Sequence, residues 1–290
     1  MTIAKKHDSH LLVQSMFQPA LPLRGIDAHK GVLGSVAIIG GDIGMVGALL
    51  LAARAALLIG AGRVYAAALS ATAPSVDLTQ PEIMLREPSA LASLSQLDCV
   101  VIGPGLGQSN SALELLKYWI KRDVSMLLDA DALNLIAAHP YLTKLIKNRA
   151  AGTVITPHVG EATRLLRSDS VYIQAHRTET ALKLAKDLRA SCVLNGADTV
   201  CAHHDGGWVI NTTGNPGLAS GGTGDVLSGI IGGLIAQGLD GFDAAKLGVY
   251  VHGAAADSLV EKGIGPVGMT ASEVAHEARN VINQLNAGFI

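Results

Sequence analysis

The stretch Asn211-Thr-Thr-Gly-Asn-Pro-Gly-Leu-Ala-Ser-Gly-Gly-Thr-Gly-Asp225 holds five glycines and one carboxylate, and runs directly into the apolar segment Val226–Leu239. Glycine lets successive backbone N–H groups approach a ligand, because no Cβ stands in the way. The start of a helix adds unpaired N–H donors and the positive end of its dipole. Together these make a site for an anion, most often phosphate. Asp225 is out of place there, since a carboxylate beside a phosphate is repelled unless it does chemistry or meets a metal. The plainer alternative is a glycine turn in which Asp225 only complements the helix dipole.

The order Gly221-Gly222-Thr223-Gly224-Asp225 suits transfer of a phosphoryl group to an alcohol. Backbone amides would hold the charge that develops on the transferring group, and Asp225 would take the proton from the attacking hydroxyl. A cation must offset the phosphate charge, so Mg²⁺ is expected, held largely through water. Glu161 is the candidate for that water shell, against the alternative of an ordinary glutamate near a helix start. His158 could touch a substrate phosphate or ribose, or simply cap its helix. Asp129 and Asp131 leave a buried strand together. One is expected to face the cleft and the other to cap the following helix.

These residues need a scaffold, and the pattern supplies an alternating one. Ser35–Gly40, 62–69, 99–103, 124–128, 153–156 and Ser191–Leu194 read as strands buried on both faces. Helices are expected from about Ala48 to Ile59 and over 111–121, 132–138, 161–166 and 178–189. Val200–Ala202 and Trp208–Ile210 flank His203-His-Asp-Gly-Gly207 as a hairpin, and three helices close the chain near 225–237, 242–262 and 271–284. Strands alternating with helices mean a mostly parallel sheet covered on both faces. Ligands in such sheets sit beyond the carboxyl ends of the strands. Six loops with unusual residues fall there: Gly40–Gly47, Gly103–Gly107, Asp129/Asp131, Pro157–Glu161, Asn195–Thr199 and Asn211–Asp225. Residues 1–24 are expected to form an arm over one domain spanning 25–290.

Several function classes are disfavoured. Gly40-Gly41-Asp42-Ile43-Gly44 does not fit the dinucleotide spacing Gly-x-Gly-x-x-Gly, and neither a P-loop nor a Gly-x-Ser-x-Gly elbow is present. The formal charge of −2 and an aromatic content of 3% offer nucleic acid neither a basic field nor stacking rings. Hydrophobic residues at 49% against 16% charged give ample core material. Cys99, Cys192 and Cys201 lie in apolar runs without metal-ligand spacing. The longest apolar stretch, Val46–Ala61, is interrupted by Arg54. Residues 1–8 lack the apolar core of a signal peptide. A cytoplasmic protein without membrane attachment is expected.

Taken together, the segments resemble the NAD(P)H-hydrate dehydratase family, nucleotide-dependent repair enzymes with a ribokinase-like fold. The matching text is His29-Lys-Gly31, Gly34-Ser-Val-Ala-Ile-Ile-Gly-Gly41, Gly44-Met-Val-Gly-Ala48, Ala52-Ala-Arg-Ala55, Gly103-Pro-Gly-Leu-Gly107 and Leu128-Asp-Ala-Asp-Ala-Leu-Asn-Leu135. It continues through Thr156-Pro-His-Val-Gly-Glu-Ala162, Gly214-Asn-Pro-Gly217, Gly221-Gly-Thr-Gly-Asp225 and Gly248-Val-Tyr-Val-His-Gly253. The resemblance implies a single-domain, three-layer α/β sandwich. It implies that a hydroxyl on the hydrated nicotinamide ring of the S form of NADHX or NADPHX is phosphorylated, and that phosphate is then eliminated to restore NADH or NADPH. ADP is the expected co-substrate, giving AMP and phosphate, with ATP the eukaryotic choice. On this resemblance Asp225 is the catalytic aspartate and Gly221–Gly224 the anion hole. Ala48, Gly105, Gly107 and His158 fall on the hydrate side, while Asn195, Gly196, Ala197, Asp198, Thr199 and Gly224 fall on the nucleotide side. It further implies a homotetramer, and a separate epimerase as functional partner, since many bacterial relatives carry a fused one.

One departure stands out. Where the family reads Val-Leu-Lys-Gly-Ala-Gly-Thr, this chain reads Val193-Leu-Asn-Gly-Ala-Asp-Thr199. A cation has become neutral, and an anion has arrived, beside the expected nucleotide. Two other readings stay open at this point. One is a small-molecule kinase of the same superfamily, of the hydroxyethylthiazole or pyridoxal type. The other is a silent nucleotide-binding protein.

Overall fold

The β-branched run Ser35–Gly40 forms β1, buried at all of its positions. The remaining strands are β2 (Arg63–Ala68), β3 (Met84–Arg86), β4 (Cys99–Ile102), β5 (Ser125–Leu128), β6 (Thr153–Ile155), β7 (Ser191–Leu194), β8 (Thr199–Ala202) and β9 (Trp208–Asn211). In this computed structural model, which describes residues 10–17, 20, 21, 25 and 31–287, they make one nine-stranded sheet in the order β3-β2-β1-β4-β5-β6-β7-β8-β9. Pairing is parallel from β3 to β7. It is antiparallel for β7–β8 and β8–β9. The chain builds outward from β1 to β3, then returns to place β4 on the other side of β1. The loops after β1 and β4 therefore part, and that switch point is where open α/β sheets bind ligands.

Successive side chains of a strand point to opposite faces, and both faces of this sheet are apolar. Val36 and Ile38 join one core cluster with α1 (Val46–Leu58), α8 (Thr223–Ala236), α9 (Gly241–Glu261) and α10 (Ala271–Asn286). Ala37 and Ile39 join the other with α2 (Asn110–Ile120), α3 (Ala130–Ala138), α4 (Tyr141–Lys147), α5 (Val159–Leu166), α6 (Ser170–Ala175) and α7 (Arg177–Leu188). The result is the expected three-layer α/β sandwich.

Helix α8 carries the glycine stretch and is the most enclosed of these elements. It lies directly against α1, and a Cβ at Gly229 would stand 2.0 Å from the Ala52 carbonyl oxygen. That close approach sets the depth at which the start of α8 emerges. The inward face of α1, including Ala48, Leu49, Ala52 and Ala56, is internal. Strand β3 and helices α4 and α6 were not expected from the pattern; each has seven residues or fewer. Most of the arm expected at 1–24 lies outside the described residues, as do His29 and Lys30 of the first matching motif. Of the described part, Leu11 bridges in parallel to Ile210, and the His10 ring stacks on Trp208 at 3.8 Å.

Candidate active site

The start of α8 lacks an ordinary cap. Gly222, its N-cap residue, has φ 90°, and no side chain bonds to the first turn. The first amides of a helix have no acceptor within it, so those of Gly224 and Asp225 are left for a ligand. Thr223 does not offer its hydroxyl to the cleft. Its Oγ1 donates to the carbonyls of Leu218 (2.7 Å) and Ser220 (2.9 Å), folding 218–223 back on itself. The segment before it is pinned by Asp257 of α9, which accepts from Gly214 N (2.7 Å) and Asn215 Nδ2 (3.0 Å).

A cleft of about 690 Å³ opens at this helix start. Gly222, Thr223, Gly224, Asp225, His158, Glu161 and all of Asn195–Thr199 line it, together with Asp129, Thr156 and Asn211–Pro216. It thus gathers the expected catalytic and nucleotide-side residues. Four carboxylates, those of Asp129, Glu161, Asp198 and Asp225, line it, and no lysine or arginine does among the described residues.

Ala48, Gly105 and Gly107 are not part of that lining. Gly105 meets Ala48, and Gly107 faces Asp42, in the crevice between β1 and β4, where Gly41 N and Asp42 N donate to the Pro104 and Gly105 carbonyls. A Cβ at Gly105 would lie 2.6 Å from the Met45 carbonyl oxygen and 3.3 Å from the Ala48 Cβ, so only glycine fits between the loops. Asp131 links the two regions. It accepts from Gly107 N at 2.9 Å, and its charge helps raise Asp225. Burial is the larger cause, and together they push the Asp225 carboxyl up to about 6.

The expected division of labour between Asp129 and Asp131 needs correcting, because neither carboxylate caps α3. Asp129 occupies the N-cap position without making the bond. Its oxygens instead accept from Thr156 Oγ1 (2.8 Å) and Ser228 Oγ (2.7 Å). Burial first, and the nearby Glu161 charge second, push it up to about 7. Asp129 therefore ties the end of β5 to the end of β6 and to α8. The sequence signalled an acidic pair here, but not Thr156 or Ser228, which carry no distinctive spacing. His252, in α9, also lines the cleft. Burial holds its imidazole down at about 4, hence neutral.

His158 is the N-cap of α5. Its Nδ1 accepts from Gly160 N, while Glu161 Oε2 accepts from His158 N, each at 2.9 Å. The reciprocal bonds form a capping box. Glu161 also meets His158 Nε2 at 3.2 Å, which raises the imidazole pKa. Both oxygens of this buried glutamate are thus engaged. Among the described residues no group of three His, Cys, Asp or Glu side chains is arranged to hold a metal ion.

The 195–198 departure is local in structure. These residues form the turn between β7 and β8. Asn195 Nδ2 donates to the Thr156 carbonyl at 3.0 Å, and Asp198 adopts φ 53°. Arg177, from α7, donates through Nη2 to the carbonyls of Leu194 (2.7 Å) and Asn195 (3.2 Å). Asn195 brings no charge to the cleft, and the Arg177 guanidinium beside it bonds the carbonyls of the turn.

Fold and site define a doubly covered α/β protein with an uncapped, glycine-rich helix start next to a raised carboxyl. Residues 36–280 match the family model described as NAD(P)H-hydrate dehydratase, and the chain belongs to that family. It is 39% identical over 272 residues to the ADP-dependent (S)-NAD(P)H-hydrate dehydratase of Neisseria meningitidis, covering 93% of this chain and 92% of that protein. It is 40% identical to the bifunctional NAD(P)H-hydrate repair enzyme of Coxiella burnetii, over 95% of this chain and 56% of that protein. The chain therefore spans about half the length of the bifunctional relatives it matches. Its structure resembles the ADP/ATP-dependent NAD(P)H-hydrate dehydratase of Bacillus subtilis co-crystallised with ATP and Mg²⁺. The TM-score is 0.85 at 29% identity, covering 95% of this chain and 98% of that one.

Proposed function

We propose that this protein dehydrates the S form of hydrated NADH or NADPH, using ADP and releasing AMP and phosphate. The observation that carries the reading is the pairing of Asp225, raised to about 6, with the uncapped first turn of α8 in one cleft. Asp225 takes the proton of the ring hydroxyl as that oxygen attacks the terminal phosphorus of ADP. The amides of Gly222, Gly224 and Asp225 hold the charge on the transferring group, while the Thr223 amide is turned to the Ser220 carbonyl. One O–P bond forms, and the bond to the AMP oxygen breaks. Loss of phosphate with a neighbouring ring proton then restores the dihydronicotinamide. Ala48, Gly105, Gly107 and His158 face the hydrate, and Asn195–Thr199 the nucleotide.

A polyanion entering a cleft with four carboxylates and, among the described residues, no lysine or arginine requires a compensating cation, and carboxylate oxygens are the donors Mg²⁺ prefers. Because both Glu161 oxygens are engaged, that side chain would hold the ion through water. Bound there, Mg²⁺ would neutralise phosphate charge. We extend the proposal to a cytoplasmic homotetramer that works alongside an NAD(P)H-hydrate epimerase activity. No helix among the described residues is long and apolar enough to cross a membrane, and the exposed Leu78 and Val267 offer apolar surface for an assembly to cover. The test incubates the protein with hydrated NADPH, Mg²⁺ and either ADP or ATP while following dihydronicotinamide absorbance. Its return supports the reading; nucleotide consumption with no return of absorbance sinks it.

A further inference from the structure

Asp198 lies on the nucleotide side of the cleft in the reading above, but the proposed chemistry gives its carboxylate no particular contact. It stands at the tip of the β7–β8 turn, exposed, and lines the same cleft as Asp225. Its φ of 53° lies in the left-handed region, where glycine is at ease and an L side chain is strained. Aspartate tolerates this region when its side chain bonds locally, yet the turn closes without it. Thr199 Oγ1 donates to the Gly196 carbonyl at 2.8 Å, and Arg177 holds the Leu194 and Asn195 carbonyls. Among the described residues, the charge of Arg177 is what Asp198 faces within the protein. The carboxylate is thus held at the cleft rim with its hydrogen-bonding capacity unspent.

Its charge decides which part of a nucleotide can lie there. Phosphates are repelled by a carboxylate, and the uncapped start of α8 provides for them elsewhere. The nucleoside end must therefore face the β7–β8 turn. That end carries two kinds of donor suited to a carboxylate: the vicinal ribose hydroxyls and the exocyclic amino group of adenine. The vicinal diol presents two O–H donors side by side, matching the two oxygens of one carboxylate.

We propose that Asp198 binds the ribose diol of the nucleotide and makes this enzyme selective for ribonucleotides over deoxyribonucleotides. The inference rests on the adenine-nucleotide reading of the cleft given above. A glycine at this position could supply no such contact.

The experiment measures dissociation constants by calorimetry with Mg²⁺ for ADP, 2′-deoxy-ADP, 3′-deoxy-ADP and IDP, on the wild type, Asp198→Gly and Asp198→Asn. Glycine suits the backbone at φ 53°, so the first variant should fold at least as well, which a melting curve checks. The wild type is expected to bind a deoxy analogue about tenfold or more weaker than ADP, the size of a lost charge-assisted hydrogen bond. In Asp198→Gly that ratio should fall towards one, with Asp198→Asn between. An unchanged ratio in Asp198→Gly overturns the proposal. So does a ratio that changes only for IDP, which would assign the carboxylate to the base amino group. Failure of the underlying reading looks different: the wild type would then bind no ADP and restore no hydrate absorbance.

Discussion

At the scale of single residues, Asp225 is the group whose environment and proposed task agree. A general base serves best with a pKa near the working pH, and burial with the Asp131 charge brings this carboxyl to about 6. The acid limb of kcat/KM should therefore fall near pH 6 rather than in the ordinary carboxylate range near 4. Removing the base typically costs about 10²–10⁴-fold. Asp225→Asn should lose at least that much turnover while its ADP dissociation constant stays within a few-fold of wild type. Near-normal turnover in this variant would remove Asp225 from the proton path. Asp131→Asn, by deleting one cause of the shift, should move the acid limb downward. It keeps an oxygen that can accept from Gly107 N, so the loop contact is preserved.

At the scale of elements, Asp129 decides whether β5, β6 and α8 hold together, and it does so as an ionisable group. Its carboxyl is raised to about 7 in the fold, against about 3.9 in an unfolded chain. A raised carboxyl favours the folded state below the unfolded pKa, and that contribution is lost as pH climbs through about 7. Asn at this position keeps an acceptor but has no proton to lose. The stability of Asp129→Asn relative to wild type should therefore improve between pH 4 and pH 8, by on the order of 4 kcal/mol if the full shift is realised. Parallel melting curves across that range, with no change in the gap, would refute the linkage.

The elements bearing this staple were legible in the sequence, because buried parallel strands are uniform β-branched runs and the loops after them carry the glycines and carboxylates. Ser35–Gly40 and Ser191–Leu194 have the expected bounds. What escaped was short or set by tertiary contact. Strand β3 has three partly exposed residues at a sheet edge. The bonds of Asp129 to Thr156 and Ser228 join positions 27 and 99 residues apart, a distance no local pattern encodes. The same holds for the separation of Ala48, Gly105 and Gly107 from the main cleft, which follows from where the sheet order reverses.

At the scale of the whole molecule, the electrostatics set the terms of binding. A net charge of −2 gives no long-range pull on a nucleotide, and the cleft itself presents carboxylates. Among the described residues, fixed attraction comes from backbone amides at the start of α8, worth about 0.3–1 kcal/mol as a helix-dipole effect at exposed sites. That is too little to offset several like charges at close range, each on the order of 1 kcal/mol or more at 4 Å. Affinity for ADP should therefore depend on Mg²⁺ far more than it would in a site built on lysine or arginine. Chelation should weaken ADP by about tenfold or more and adenosine, which carries no phosphate, by less than about twofold. Calorimetry with and without chelator, at fixed ionic strength, separates the two. Equal loss for both ligands would mean that the chelator had altered the fold, and a melting curve would show it. No loss for ADP would mean that the α8 amides alone hold the phosphates, and the proposed cation role would fall.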